Sequence, residues 1–431
     1  MQIVREIDGG FSYGWKPLMK IAIVGGGAAG MTAAHLLDKT HHVTLFEKDS
    51  ILGGNIRTLN KNVRCDSLDP RITLDNGVIE FERDYFPNFH KLMRNLNVQL
   101  EEVPLTSEIF LANGRHYKSA GAILYGCQSK WEQIIESLRL TPIVFSYLCF
   151  LVRMAFTSKD SFRHRPISDF IGNSISAKWL KMLLMYAYSM PYKMIDNFPA
   201  EIGLPLLNHS GMLTKWDRIV GGVYTYIEKI LSQFSGLIHC DANIIAVTRD
   251  STGVQIKLIN GDKLQFDKII FATTPDQVLA LLKDPSEAEI KRFKAWEVSV
   301  IETVIHTDIS IYKHFGVSYF SEFDLFQNKE NGDCGYNAYL DRLCGVNTQT
   351  DTHYSLAYNL EQQIDPEKII DVQRHSSPNY NVEAIRYRQE VLDTNGENNT
   401  YHAGAYLFEG LHEGAITSGF VVSQLLGGLR L

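Results

Sequence analysis

Three glycines and one acid open the chemistry of this chain. Gly25, Gly27 and Gly30 fit the spacing G-x-G-x-x-G, and Glu47 closes the next apolar run. In that spacing the first glycine permits a tight turn, the second lets a pyrophosphate reach the backbone, and the third lets a helix pack closely on a strand. Glu47 can accept hydrogen bonds from ribose hydroxyls. Leu52-Gly53-Gly54-Asn55-Ile56-Arg57 follows directly. Two glycines and a guanidinium can set backbone amides and positive charge beside a second phosphate. The bland alternative is a glycine turn with a solvated arginine.

These residues act together only if the elements between them form. Ile21, Ala22, Ile23 and Val24 make a continuous apolar run, which suits a parallel strand buried on both faces. From Ala28 through Ala33, Ala34, Leu36 and Leu37 the chain reads as a helix, whose free amides and positive dipole end face the phosphates. Residues 43–46 are the second strand. Glycines alone mark ordinary turns; strand, glycines, helix, strand and acid in that order predict a dinucleotide site.

Gly25, Gly27, Gly30, Glu47, Gly53-Gly54 and Arg57 together resemble the opening of the flavin amine oxidase, phytoene desaturase and protoporphyrinogen oxidase superfamily. Within it the chain is most similar to a bacterial group described as NAD/FAD-binding proteins or FAD-dependent oxidoreductases. The resemblance runs from about Met19 to the C-terminus, with gaps in the helical middle. It implies an α/β fold: a Rossmann-like FAD-binding domain of the amine oxidase type (glutathione-reductase-like), interleaved with an α+β substrate domain. Expected bounds are 19–75, 205–285 and 385–431 for the FAD domain, and 76–204 and 286–384 for the substrate domain. Residues 1–18 are expected to be an extension outside the core. The cofactor implied is FAD, held at Gly25, Gly27, Ala28, Ala29, Gly30, Glu47, Lys48, Gly53, Gly54, Asn55, Arg57, Asn76, Gly77, Ile244, Gly404, Glu413, Ala415 and Ile416.

Bulk properties agree with two domains. A chain of 431 residues exceeds one ordinary core. Its net charge of −7 argues against a nucleic-acid surface, as do basic residues that do not cluster with stacking aromatics. Six cysteines show no C-x-x-C spacing and read as reduced thiols, mostly packing residues, in a cytoplasmic protein. No metal-ligand constellation stands out among the fourteen histidines. The first twenty residues lack the apolar run of a signal peptide.

Along the chain, Asn76-Gly77 stands where the family lays a similar passage against the isoalloxazine ring; a plain Asn-Gly hairpin is the alternative. Residues 85–96 have helical spacing opened by Pro87, and 101–119 alternate as strands around Asn113-Gly114. The middle reads as helices. Residues 141–156 are apolar nearly all round, too short for a membrane span and interrupted by Arg153. They can form a buried helix, an interfacial membrane helix backed by Arg163, His164 and Arg165, or the wall of an apolar substrate tunnel. Buried core is the preferred reading. A further helix spans 179–188. Trp216 precedes Gly221-Gly222, either packing or touching flavin or substrate. Segments 237–241, 244–249, 254–258 and 263–266 read as a small antiparallel sheet, and 268–272 as another parallel strand. Strands expected at 298–307, 336–340 and 354–360 would floor a substrate pocket. Tyr336, Tyr339, Tyr354 and Tyr358 are its candidate aromatics, half of which must face away.

At the C-terminus, 400–406 is strand-like and 410–416 opens the last helix. The resemblance brings that helix start to the pyrimidine end of the flavin and makes Glu413 a polar contact to the cofactor. The alternative is an acid favoured there by the helix dipole alone. A helix N-terminus suits the negative charge that reduced flavin gathers. Amine oxidases of the superfamily place an aromatic residue where this chain has Leu411, and commonly an acid where it has Tyr406. Both departures favour a desaturase, dehydrogenase or isomerase taking hydride from a C–H bond of a small or apolar, lipid-like substrate. Flavin amine oxidation is an alternative, and an FAD-binding accessory protein without turnover is another. Trp216, Tyr336, Tyr339, Tyr406 and Leu411 are the substrate-pocket candidates. No residue declares itself a general base. FAD is expected to be non-covalent, His402 and His412 being the nearest candidates for attachment.

Overall fold

Ile21, Ala22 and Ile23 are wholly buried in the strand Lys20–Val24. This strand is the middle of a five-stranded parallel sheet, ordered Leu237–His239, His42–Phe46, Lys20–Val24, Lys268–Phe271, Thr400–His402. The chain builds first to one side of the central strand and later to the other. The reversal therefore lies between Lys20–Val24 and Lys268–Phe271, and the crevice at the carboxyl ends of those strands is where such sheets bind ligands. The structure, a computed structural model, describes residues 18–209, 214–317, 319–329, 331–346 and 352–431. Apart from Leu18, the expected extension lies outside the described residues.

One strand assignment is corrected. Leu237–His239 does not belong to the antiparallel meander; it pairs in parallel with His42–Phe46. The helix Tyr224–Leu231 before it returns the chain to the sheet edge, as a βαβ crossover does. Only Ile244–Asp250, Gly253–Leu258 and Lys263–Phe266 form the meander.

Two helices frame the crevice. Ala28–Leu37 and the C-terminal helix Leu411–Leu426 cross closely at Gly419, where a Cβ would lie 2.5 Å from the Ala29 carbonyl oxygen. The missing side chain lets the two backbones meet and brings both helix N-termini to the same end of the sheet.

A second sheet faces that end. Its seven strands are ordered Ile369–Pro378, Val298–His306, Ser355–Tyr358, Cys334–Tyr339, Phe323–Gln327, Ser107–Phe110, His116–Lys118. All neighbours are antiparallel except Phe323–Gln327 with Ser107–Phe110, and that parallel pair joins two distant stretches of chain into one sheet.

The apolar stretch 141–156 is the second half of a helix, Lys130–Ala155, capped by Ser129. Pro142 sits inside it. With 26 residues the helix is long enough to cross a membrane, contrary to the expectation of shortness. It is not core either: Ile143 and Met154 are buried, but Phe145 is 68% and Leu148 49% exposed. Only one narrow side of it meets the helix Ile175–Tyr188, so an apolar circumference does not translate into burial.

Candidate functional site

The glycine loop is built as its spacing requires, for three separate reasons. Gly25 has φ +108°, and a Cβ on it would lie 2.4 Å from the Ala272 carbonyl oxygen. A Cβ on Gly30 would lie 1.9 Å from the Gly25 carbonyl oxygen. Gly27 differs: its φ is an ordinary −78°, and the nearest atom to an added Cβ is 3.7 Å away. The protein itself does not need a glycine there. What needs it is whatever enters the cavity that Gly27 lines. Gly27 is also the N-cap of Ala28–Leu37 and offers no capping side chain, so the helix start faces the cavity with unshielded amides.

Glu47 is buried at the end of its strand, accepting the Gly26 amide at 2.7 Å on Oε2 and the Asp49 amide at 3.0 Å on Oε1. Gly53 bridges to Gly27, which holds the second glycine pair against the first loop. Asn62 clamps this turn, donating to the carbonyls of Leu52 and Ile56 at 3.0 and 2.8 Å and accepting from the Thr58 amide at 2.8 Å. Arg57 pairs with Asp49 through Nη2 at 3.2 Å, while its buried Nη1 has no protein partner.

All of this lines one cavity of about 650 Å³, which runs from the carboxyl edge of the parallel sheet to the face of the seven-stranded sheet. It is lined by Gly25, Gly27, Ala28, Ala29, Glu47, Lys48, Gly53, Gly54, Asn55, Arg57, Gly77, Ile244, Gly404 and Ala415 from the expected cofactor set, and by Tyr336, Tyr406 and Leu411 from the expected pocket. Five of its buried polar side-chain atoms lack a partner among the described residues: Arg57 Nη1, Thr273 Oγ1, Thr274 Oγ1, His375 Nδ1 and Tyr406 Oη. An unsatisfied buried polar group costs about 1–3 kcal/mol. Such a ring of them fits a bound polar ligand rather than a core.

Eight expected residues, Glu413 among them, stand elsewhere. Gly30 supports the loop from behind. Asn76 is buried, bonded to Thr303 and to His375 Nε2; it lies in a short strand, Asp75–Gly77, rather than a hairpin turn. Ile416 packs in the core. Trp216 lies in a strand, donating to Thr214 Oγ1 at 3.2 Å. Tyr339 points to Asp341 and His353, the opposite sense to Tyr336, as strand alternation demands. Tyr354 and Tyr358 do not line the cavity either.

Glu413 is the clearest correction. Its carboxylate accepts the amides of Asn88 and Phe89 at 3.0 and 2.9 Å, capping the helix Pro87–Asn95 instead of facing the cavity. An acid in a first turn reads from sequence as serving its own helix, and here it serves another. Glu413→Ala is expected to lower stability by about 0.5–2 kcal/mol, the worth of such a cap. Thermal melting of the purified protein checks it.

The structure also supplies residues that sequence patterning missed. The helix Ile175–Tyr188 ends at Ser189, with φ +47°, and delivers Tyr186, Tyr188 and Ser189 to the cavity. Tyr186 stacks on Phe323 at 4.6 Å and meets Tyr336 edge-on at 4.9 Å. Its hydroxyl donates to Glu80 Oε1 at 2.6 Å. Burial pushes the Glu80 carboxyl up to about 7. Burial also lowers His375, helped by Arg57, to about 4, so this cavity histidine is neutral. Tyr188 and Tyr380 close over Gly410, where a Cβ would lie 2.7 Å from the Tyr188 ring. The next residue, Leu411, holds φ +57°, a strained value for leucine, and lines the cavity. His412 Nε2 lies 3.0 Å from the Tyr226 hydroxyl, and burial lowers its pKa to about 3.

A family model described as an NAD(P)-binding Rossmann-like domain matches residues 23–96. No curated protein matches the chain. Among solved structures, cyclohexylamine oxidase from Brevibacterium oxydans IH-35A superposes with a TM-score of 0.67 at 13% identity, over 95% of this chain and 100% of that one. A CLA-producing fatty acid isomerase from P. acnes gives 0.67 at 16% identity, over 96% and 99%. Putrescine oxidase bound to putrescine gives 0.64 at 12% identity, over 95% and 99%. The chain shares its fold with these three enzymes. Within this shared fold, the cavity of about 650 Å³ joins a dinucleotide-type loop to an aromatic chamber.

Proposed function

We propose that this chain is an FAD-dependent oxidoreductase that takes hydride from a C–H bond of an apolar organic substrate, in the manner of a desaturase, dehydrogenase or isomerase. Bound FAD would supply the hydride acceptor. Gly27, the first amides of Ala28–Leu37 and Arg57 would hold its phosphates, Glu47 its ribose, and the start of Leu411–Leu426 its pyrimidine end.

The observation that carries the reading is Glu80, a carboxyl raised to about 7 inside the cavity and flanked by Tyr186 and Tyr336. Forming a double bond removes a hydride from one carbon and a proton from its neighbour. Glu80 would take that proton, and a pKa near working pH suits a general base. Tyr336, Leu356, Tyr380 and Leu411 would exclude water and hold the substrate chain.

Amine oxidation is the second reading. It is favoured by the same carboxylate among tyrosines, which can hold an ammonium group. Anaerobic titration of the yellow protein separates the two. Bleaching of flavin absorbance by acyl chains supports the first, and bleaching by amines alone overturns it in favour of the second. A flavin reduced by neither class, and not reoxidised by oxygen or quinone, leaves an accessory protein. Non-covalent attachment is part of the proposal; acid precipitation is expected to leave the pellet colourless.

A further inference from the structure

Half-exposed or fully exposed large apolar side chains concentrate on one segment. Leu124, Tyr125, Trp131, Ile134, Ile135, Leu138, Phe145, Leu148, Val152 and Phe156 all lie on or beside the helix Lys130–Ala155. Single exposed apolar residues are ordinary, but a contiguous set marks an interaction surface.

The pattern along the helix defines a stripe. Positions 131, 134, 135, 138, 141, 142, 145, 148, 149, 152 and 156 hold Trp, Ile, Ile, Leu, Thr, Pro, Phe, Leu, Cys, Val and Phe, without a single charge. At 1.5 Å per residue the stripe runs about 35–40 Å. The opposite side is engaged. Ile143 and Met154 are buried, Ser146 bonds Ser176 at 2.7 Å, and the Tyr147 hydroxyl donates to the Leu207 carbonyl at 3.1 Å. A helix held to the protein body along its whole second half cannot cross a bilayer, whatever its length. It can lie in the plane of one.

Charge selects the occupant. Residues 130–165 carry six Lys/Arg against three Asp/Glu, within a chain of net charge −7. Lys130, Arg153, Lys159 and Arg163 form no ion pair among the described residues; Arg153 flanks the last turn of the stripe, and Lys159 and Arg163 follow it. An uncharged apolar stripe with a basic rim and aromatic ends is what an anionic lipid surface recognises. A second copy would set this basic rim against its own.

We infer that the face of Lys130–Ala155 carrying Trp131, Leu138, Phe145 and Leu148 is an in-plane docking surface for an anionic phospholipid bilayer. The inference rests on this surface alone and is independent of the reaction proposed above.

Co-sedimentation of the purified, flavin-loaded full chain tests it, with vesicles of phosphatidylcholine alone or mixed with phosphatidylglycerol. The expected result is binding to mixed vesicles and about tenfold or greater loss of that binding in Phe145→Glu/Leu148→Glu, whose exposed positions leave flavin absorbance and melting unchanged. Arg153→Glu/Arg163→Glu is expected to abolish the preference for the anionic lipid. Protein that stays in the supernatant with both vesicle types overturns the inference. So does a concentration-dependent dimer, seen by sedimentation equilibrium and abolished by Phe145→Glu/Leu148→Glu, in a chain that ignores vesicles.

Discussion

Gly27→Ala is expected to fold as the native chain does and to bind FAD about ten- to a hundredfold more weakly. The two halves of this result come from different observations. Its φ of −78° suits any residue, and an added Cβ meets no protein atom nearer than 3.7 Å, so folding is spared. The methyl would project into the cavity beside the helix start, where a phosphate must approach the backbone. Forcing a methyl into a filled contact costs about 1–3 kcal/mol, which is that loss in affinity. Gly30→Ala makes the contrast: its Cβ would lie 1.9 Å from the Gly25 carbonyl oxygen, and loss of the fold itself is expected. Isothermal titration of the apoprotein with FAD, beside thermal melting, reads both. Unchanged FAD affinity in Gly27→Ala would show that no ligand passes that backbone.

The second large effect is at Glu80. Glu80→Gln keeps the size of the side chain and an oxygen to accept the Tyr186 hydroxyl, but it cannot take a proton. A general base contributes about 10²–10⁴-fold, and kcat is expected to fall by that much with KM little changed. With Glu80 as the base only its carboxylate form would be active, so the rate should fall as pH drops through about 7, and this limb should vanish in the glutamine variant. Stability moves in the opposite sense. Burial raises Glu80 in the folded state from an ordinary 4.5 to about 7, so the unfolded chain gives up the proton first as pH rises. Its contribution is present below about 4.5 and is lost as pH rises to about 7, whereas Glu80→Gln should lack that slope. A rate profile and melting temperatures across the same pH range separate a catalytic role from a packing one. An activity limb near 7 surviving in the variant would exclude Glu80 as the base.

Much of the nucleotide side was legible because its signals are local. Gly25, Gly27 and Gly30 run from one loop into the helix it opens, and Glu47 directly follows the strand one helix later, so spacing along the chain translates directly into position. Leu237–His239 was misread because so short a run looks alike in parallel and antiparallel strands; the helix before it decides which edge it reaches. Glu413 and Lys130–Ala155 were misread for related reasons. A first-turn acid does not announce which helix it caps, and an apolar circumference does not announce how much of it is covered.

Of the chamber, Tyr336, Tyr406 and Leu411 were named from sequence; how they come together with Tyr186 and Glu80 came only from tertiary structure. Tyr186 reaches the cavity because Ser189 ends its helix there, Tyr336 because its strand lies in the seven-stranded sheet, and Glu80 because the strand Glu80–Glu82 runs past both. Over a hundred residues separate Glu80 from the tyrosine that donates to it. By itself the sequence determined a dinucleotide loop, since a backbone path that only glycine can follow is written in the residues that follow it. Which carboxyl sits in the dry chamber, and at what pKa, was decided by folding, because burial is a property of neighbours that the chain brings together from far apart.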